Sequence, residues 1–335
     1  MKFKTFIGVD VSKLTLDICS ISGEGLIEDY QIPNDHKSLK SFFGLLEKKF
    51  DLSTVLVCAE HTGHYSNPLR SYCLDSGIDI WLESGAEIKL RSGVQRNKSD
   101  KIDAGRIASY ALRYSDKAKT ERAKVDALEE AKLLLSEREL YVKERAKYKA
   151  QIRDLKKFIA SAYYKDRKKR MDKHLALLSR SIVQIDKRVK EIFKETEKLS
   201  KQKDILKSID GVGEQVAVHT IVATVGFEKF SNGRQFACHA GVAPFSYSSG
   251  TSQRSRNKVS NRANKKLKTL FHMAALSAIQ MKGEFRDYFE RKLAEGKNKM
   301  TIINAVRAKI INRIFALIRE DRKYEKNYIF TLQHP

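Results

Sequence analysis

Acid is the scarce charge in this chain. Of 335 residues, 41 are Asp or Glu against 65 Lys or Arg, leaving a formal net charge of +24. A surplus of that size, with a pI near 9.7, favours a polyanionic partner, because neutralising phosphates releases condensed counterions. Long apolar runs are missing as well; none approaches the roughly 18 residues of a membrane span. The start, Met1-Lys2-Phe3-Lys4, has no signal-peptide pattern and leads straight into a strand-like segment, so a cytoplasmic protein without a membrane partner is expected. The four cysteines (Cys19, Cys58, Cys73, Cys238) lack zinc-ligand spacing and lie mostly in apolar contexts. That excludes a disulfide framework and predicts buried, reduced thiols. Glycine and proline disappear between residues 116 and 203.

What is present divides the chain into three stretches, consistent with a length too great for one ordinary core. Residues 1–115 read as α/β. The runs 6–9 and 14–21 predict a hairpin bent at Asp10 to Lys13, and Leu39, Phe42, Phe43, Leu45 and Leu46 predict a helix. The wholly apolar run 54–59 predicts a strand covered on both faces, and 78–82 a further strand. A helix is expected to begin near Ser99. In residues 116–203 Leu175, Leu178, Ile182, Ile185, Val189 and Ile192 step by three and four, a coiled-coil seam. Ile152, Leu155, Ile159 and Ala162 repeat the pattern, so two long helices are expected with a break at 165–170. Residues 204–335 read as a mainly helical unit, with helices near 216–225, 265–279 and 300–319 and a Gly/Ser-rich stretch at 241–260.

Against the basic background, four acids stand out. Asp10 and Glu60 each follow an apolar strand by one residue, and Asp100 and Asp103 share a helix face at i and i+3. If the strands are neighbours, four carboxylates meet at one sheet end, where mutual repulsion disfavours ionisation unless a cation intervenes. Oxygen ligands suit Mg²⁺ or Mn²⁺, and paired ions clamp the attacking and leaving oxygens of phosphoryl transfer. Each acid also has a structural alternative: Asp10 capping the bend, Asp100 complementing the helix N-terminus, and Asp103 pairing with Arg106.

In the last stretch, Ile209-Asp210-Gly211-Val212-Gly213 resembles a helix-hairpin-helix turn, in which Gly211 and Gly213 let backbone N–H groups approach a phosphate. The loop running from Ala240 through Ser248, Ser249 and Gly250 is followed by Arg254, Arg256 and Lys258, then Arg262 and Lys265, all expected to contact nucleic acid. Taken alone, serines in such a loop are loop residues, and no histidine has triad-like spacing with them.

With these motifs in order, the chain resembles the DEDD-type insertion-sequence transposases, the family related to Piv-type DNA invertases that includes bridge-RNA-guided recombinases. The resemblance runs through Ile7-Gly8-Val9-Asp10-Val11-Ser12-Lys13, Glu60-His61-Thr62-Gly63-His64-Tyr65, Lys98-Ser99-Asp100-Lys101-Ile102-Asp103-Ala104, Ile209-Asp210-Gly211-Val212-Gly213, Ala240-Gly241-Val242-Ala243-Pro244 and Ser249-Gly250. It implies an RNase H-like (RuvC-like) domain whose Asp10, Glu60, Asp100 and Asp103 hold Mg²⁺, a coiled-coil insert, and a C-terminal transposase domain. That domain supplies a serine nucleophile, Ser249 by position with Ser248 as the alternative. It further implies a covalent phosphoserine–DNA intermediate, donor and target DNA as substrates, a structured guide RNA, and a homo-oligomer built from dimers into a tetramer. Three other readings stay open. A RuvC-like hydrolytic junction nuclease would use the acids but not the serine. An actin-like ATPase or sugar kinase would use Gly8-Val9-Asp10-Val11-Ser12 as a phosphate loop. A DNA-binding architectural protein would need neither.

Overall fold

The computed structural model describes residues 2–23, 25–91, 99–121, 126–243, 248–249, 253–254 and 263–326. The chain forms two compact units, Met1–Lys124 and Val125–Pro335.

The N-terminal unit is a five-stranded sheet in the order β3-β2-β1-β4-β5. Its strands are β1 (Thr5–Val11), β2 (Thr15–Ser22), β3 (Ile27–Pro33), β4 (Val55–Glu60) and β5 (Asp79–Glu83). The first three run antiparallel, and β1, β4 and β5 are mutually parallel. Period-two alternation sorts β1 into two faces. Ile7, Val9 and Val11 join Val55, Val57 and Ala59 against α1 (His36–Glu47) and α2 (Asn67–Asp75). Phe6, Leu56, Cys58 and Trp81 face the other way, onto α3 (Gly85–Arg91) and α4 (Asp100–Arg113). Between its capped flanks β4 is buried along Val55 to Ala59, as expected of a strand covered on both sides.

Two details of this unit differ from the sequence reading. The expected hairpin forms, but β1 continues through Asp10 and Val11, so Asp10 belongs to the ladder and faces Asp17. The bend is closed instead by Ser12, whose Oγ accepts from Thr15 N at 3.0 Å. Strand β3 was not anticipated: its Glu28, Asp29 and Gln31 interrupt the apolar pattern, as suits an edge strand in which every residue is exposed or half-buried.

The second unit begins with α5 (Asp126–Leu155) and α6 (Ser161–Glu195). Their contacts run in opposite directions: Glu130 meets Arg188, Arg138 meets Asp186, Tyr148 stacks on His174 and Ile152 meets Tyr164. The pair is therefore an antiparallel hairpin within one chain. Its turn lies at 156–160, not at 165–170. The Lys165–Arg170 run consists of adequate helix formers without a breaker, so α6 continues through it. The seam is buried at Ile182, Ile185, Val189 and Ile192 and half-exposed at Leu175 and Leu178.

The remaining helices pack with the base of this hairpin into one core. They are α7 (Glu197–Lys207), α8 (Glu214–Ala223), α9 (Gly233–His239), α10 (Lys265–Ala278), α11 (Glu284–Ala294) and α12 (Lys299–Arg319). The hairpin segment and residues 204–335, separable by composition, thus fold as a single unit. Asparagines at 232, 264 and 298 cap α9, α10 and α12, each accepting from backbone N–H groups of the first turn. Among the described residues no helix is long and apolar enough to cross a membrane. Cys19, Cys58 and Cys73 are buried free thiols, and Cys238 is half-buried and free.

Candidate active site

Gly8 decides where the carboxylates meet. A Cβ at this position would lie 2.1 Å from Ala108 N and 2.3 Å from Ala104 O, so only glycine lets α4 sit directly on β1. Gly8 is thus a packing residue in mid-strand, and of the run Gly8 to Ser12 only Ser12 lies at the hairpin bend. Its contact brings the N-terminus of α4 to the same face of β1 that carries Asp10, two residues on. Ser99 caps that helix by accepting from Ile102 N at 3.3 Å, placing Asp100 and Asp103 in the first turn.

The sheet register adds two acids that sequence reasoning missed. Asp10 pairs with Asp17 on β2, and Glu60 pairs with Glu83 on β5. The parallel register of Val9 with Ala59 sets Asp10 beside Glu60. A row of carboxylates therefore crosses four strands: Asp17, Asp10, Glu60, Glu83. Asp17 had no visible signal because its meaning comes only from the cross-strand pairing. It is buried and accepts from Gln31 Nε2 at 2.9 Å. Glu83 accepts from Ser84 N at 2.7 Å and from Tyr110 Oη at 3.4 Å.

Asp10 is the centre of stress. Burial, then the charges of Asp100, Asp103, Glu60 and Asp17, push its carboxyl up to about 6. Among the described residues nothing donates a hydrogen bond to it. The capping alternative for Asp10 does not occur, whereas the alternative for Asp103 does: Arg106 binds its Oδ1. Glu60 is held against Gly85, where an added Cβ would fall 1.9 Å from Oε1. As they stand, no three acidic, thiol or imidazole groups among the described residues close around a common point. The donor set nonetheless fits a hard divalent cation. It is all oxygen, and it surrounds a half-buried carboxylate that has no compensating partner among the described residues.

In the C-terminal unit, Gly211 and Gly213 have different roles. Gly211 has φ +84°, and a Cβ there would meet Ala274 O at 2.3 Å, so this glycine seats the turn on α10. Gly213 is exposed, opens α8 without a side-chain cap and has open space around its Cβ position. Of the two it is the one placed to present backbone N–H groups. Ser248 and Ser249 form β6 (Ser248–Ser249), paired antiparallel with β7 (Gln253–Arg254), so that Ser249 faces Gln253 and Ser248 faces Arg254. Arg256, Lys258 and Arg262 lie outside the described residues. Lys265 is exposed at the first position of α10.

Both stems of the serine loop are tied down. Asn304 Nδ2 donates to Val242 O at 3.0 Å, and Asn264 N donates to His239 O at 2.8 Å. One turn beyond Asn304, Arg307 is buried and its Nη2 donates to His272 Nδ1 at 2.8 Å. Nothing in the spacing of these residues marked them in advance, because they converge from α9, α10 and α12.

Residues 7–159 match the DEDD transposase family of IS110-type elements, and residues 203–290 match the family described as "Transposase IS116/IS110/IS902 family". The pilin gene-inverting protein of Moraxella bovis is 24% identical over 326 residues, spanning 96% of this chain and 98% of that protein. Its counterpart from Moraxella lacunata matches over the same extent at 24%. A 44.8 kDa insertion element IS116 protein of Streptomyces clavuligerus is 24% identical over 159 residues, 47% of this chain and 40% of that protein. The carboxylate row at the end of one sheet and the two family matches, one through the first arm of the helical hairpin and one beyond its second, agree: this chain belongs to the IS110-type DEDD transposases, enzymes of DNA transposition and recombination.

Proposed function

We propose that this transposase cuts and exchanges DNA strands through a serine-linked intermediate, with Asp10, Glu60, Asp100 and Asp103 holding Mg²⁺ or Mn²⁺. The observation that carries the metal reading is Asp10. Its carboxyl is half-buried, has no donor among the described residues, and is raised first by burial and then by four neighbouring acids. A bound divalent cation would polarise the scissile phosphate and stabilise the departing oxygen. The protein's own share is to hold the carboxylates on β1, β4 and the first turn of α4, where Gly8 and the Ser99 cap fix their spacing.

In the proposed reaction Ser249 Oγ gives up its proton and forms a bond to phosphorus. The bond from phosphorus to the 3′ oxygen breaks, leaving a phosphoserine ester on one strand end and a free 3′-hydroxyl on the other. Reversal onto a different 3′-hydroxyl joins the exchanged strands and regenerates the serine. Gly213, Arg254, Arg256, Lys258, Arg262 and Lys265 would grip phosphates around this step, with sequence choice delegated to a structured guide RNA by base pairing. The similarity to a protein named for inverting a gene supports strand exchange rather than simple hydrolysis. Several active sites are needed to exchange two duplexes, which favours a homo-oligomer.

The test is a denaturing gel of protein incubated with Mg²⁺, the element's RNA and donor and target DNA. A protein–DNA adduct absent in Ser249→Ala and retained in Ser248→Ala is expected. Cleavage without an adduct would instead favour hydrolytic junction cutting.

A further inference from the structure

Asp103 already has a cationic partner supplied by the chain itself. The guanidinium of Arg106 is bound to Asp103 Oδ1 from one turn along α4, with both side chains about a quarter exposed or less. Arg106 also lines a cleft of about 550 Å³ between α4 and the β2–β3 edge. Three further cations, Arg91, Lys101 and Arg113, line the same cleft. Lys101 is engaged by Asp29 at 3.0 Å and Arg91 by Glu87 at 2.8 Å, while exposed Arg113 has no carboxylate partner among the described residues. Arg106 thus stands between two environments of opposite sign, the carboxylate row on one side and a basic cleft on the other.

We propose that Arg106 is a movable counter-ion for the metal site. It neutralises Asp103 while no divalent cation is bound, yields the carboxylate when one arrives, and then contacts a phosphodiester in the cleft. The inference rests on the metal reading of the preceding subsection. It explains why the acids approach one another without closing on a common point: one of the four is held by a cation the chain itself supplies. A guanidinium suits the exchange, because its planar fork binds carboxylate and phosphate oxygens with the same geometry. Arg106 is therefore a positioning residue for Asp103 rather than a ligand.

Mn²⁺ titration of the full chain, followed by the electron paramagnetic resonance signal of the free aqueous ion, tests the competition without any turnover. Arg106→Gln should bind Mn²⁺ about fivefold more tightly than the wild type, with Arg106→Lys between them. In Mn²⁺, Arg106→Gln should bind a fluorescent duplex of random sequence more weakly. Circular dichroism melting confirms that each variant is folded. Unchanged or weaker Mn²⁺ binding by folded Arg106→Gln overturns the counter-ion role. Tighter Mn²⁺ binding with unchanged duplex affinity overturns the transfer to phosphate. If Asp10→Asn leaves Mn²⁺ binding intact, the metal reading itself fails and the inference with it. If Asp10→Asn abolishes binding while Arg106→Gln does not tighten it, only the inference fails.

Discussion

The acid row of the N-terminal unit and three acids of the C-terminal unit live under opposite conditions. The C-terminal three are neutralised: Asp186 accepts from Arg138 at 2.7 and 3.2 Å and from Gln215 at 3.1 Å. Glu130 accepts from Arg188 at 2.8 and 3.1 Å, and Glu284 from Arg313 at 2.7 and 2.9 Å. In the N-terminal unit Asp17, Asp10, Glu60 and Glu83 line up across neighbouring strands, and among the described residues Asp10 has no donor. A chain with 24 surplus positive charges has cations to spare, so leaving Asp10 unpaired is not for want of partners. Local conflict of this kind, within an otherwise consistent fold, is where chemistry concentrates.

The largest expected effect breaks the contact that creates the conflict. Gly8→Val should destabilise the N-terminal unit by about 3 kcal/mol or more, because α4 backbone atoms occupy the space its side chain needs. Limited proteolysis should then cleave within residues 1–124 while the C-terminal unit stays intact.

The C-terminal unit holds strained groups of its own, and His219 is a base among them. His219 is held down to about 4 by burial, with Lys266 and Arg138 adding to the effect. The unfolded chain therefore takes up this proton first as pH falls, and stability is lost between pH 6.5 and 4. Urea unfolding followed in the C-terminal unit should show a loss on the order of 2 kcal/mol across that window. Substituting His219→Leu should flatten the dependence.

A smaller effect has the opposite sign. Because the folded Asp10 carboxyl is raised to about 6, its contribution to stability is present at low pH and disappears as pH rises through that value. In EDTA at neutral pH, Asp10→Asn should therefore stabilise the N-terminal unit by about 1 kcal/mol, after allowance for its partial exposure. A destabilised Asp10→Asn protein in a thermal melt would mean that the acids are not in conflict.

The site was legible in sequence where local rules decide, and hidden where register or tertiary contact does. Val55 to Ala59 announced a doubly covered strand because every side chain is apolar, and Ser99 announced the start of α4 through its cap. Asp17 was silent, since only the antiparallel pairing of β1 with β2 puts it opposite Asp10. Strand β3 escaped notice because edge position, not burial, permits its charges. The turn at 156–160 carries neither glycine nor proline, so composition offered no marker for it, while the charged run in α6 looked like a break and is not one. Gly211 and Gly213 read alike in sequence; only the approach of Ala274 distinguishes the packing glycine from the exposed one.

The seating of α4 on Gly8 also sets a timetable. Strands β1 and β2 can pair as soon as residue 22 has been made, since their hairpin is local. Asp100 and Asp103 join Asp10 only after a helix ending at Arg113 has been synthesised and has docked on that hairpin. During translation the nascent chain therefore carries half a set of carboxylates, Asp10 and Glu60, from residue 60 until α4 is complete at Arg113. On the proposed metal reading, an enzyme made this way has no competent centre until its N-terminal unit is complete, and a truncated product ending before α4 would be inert by construction.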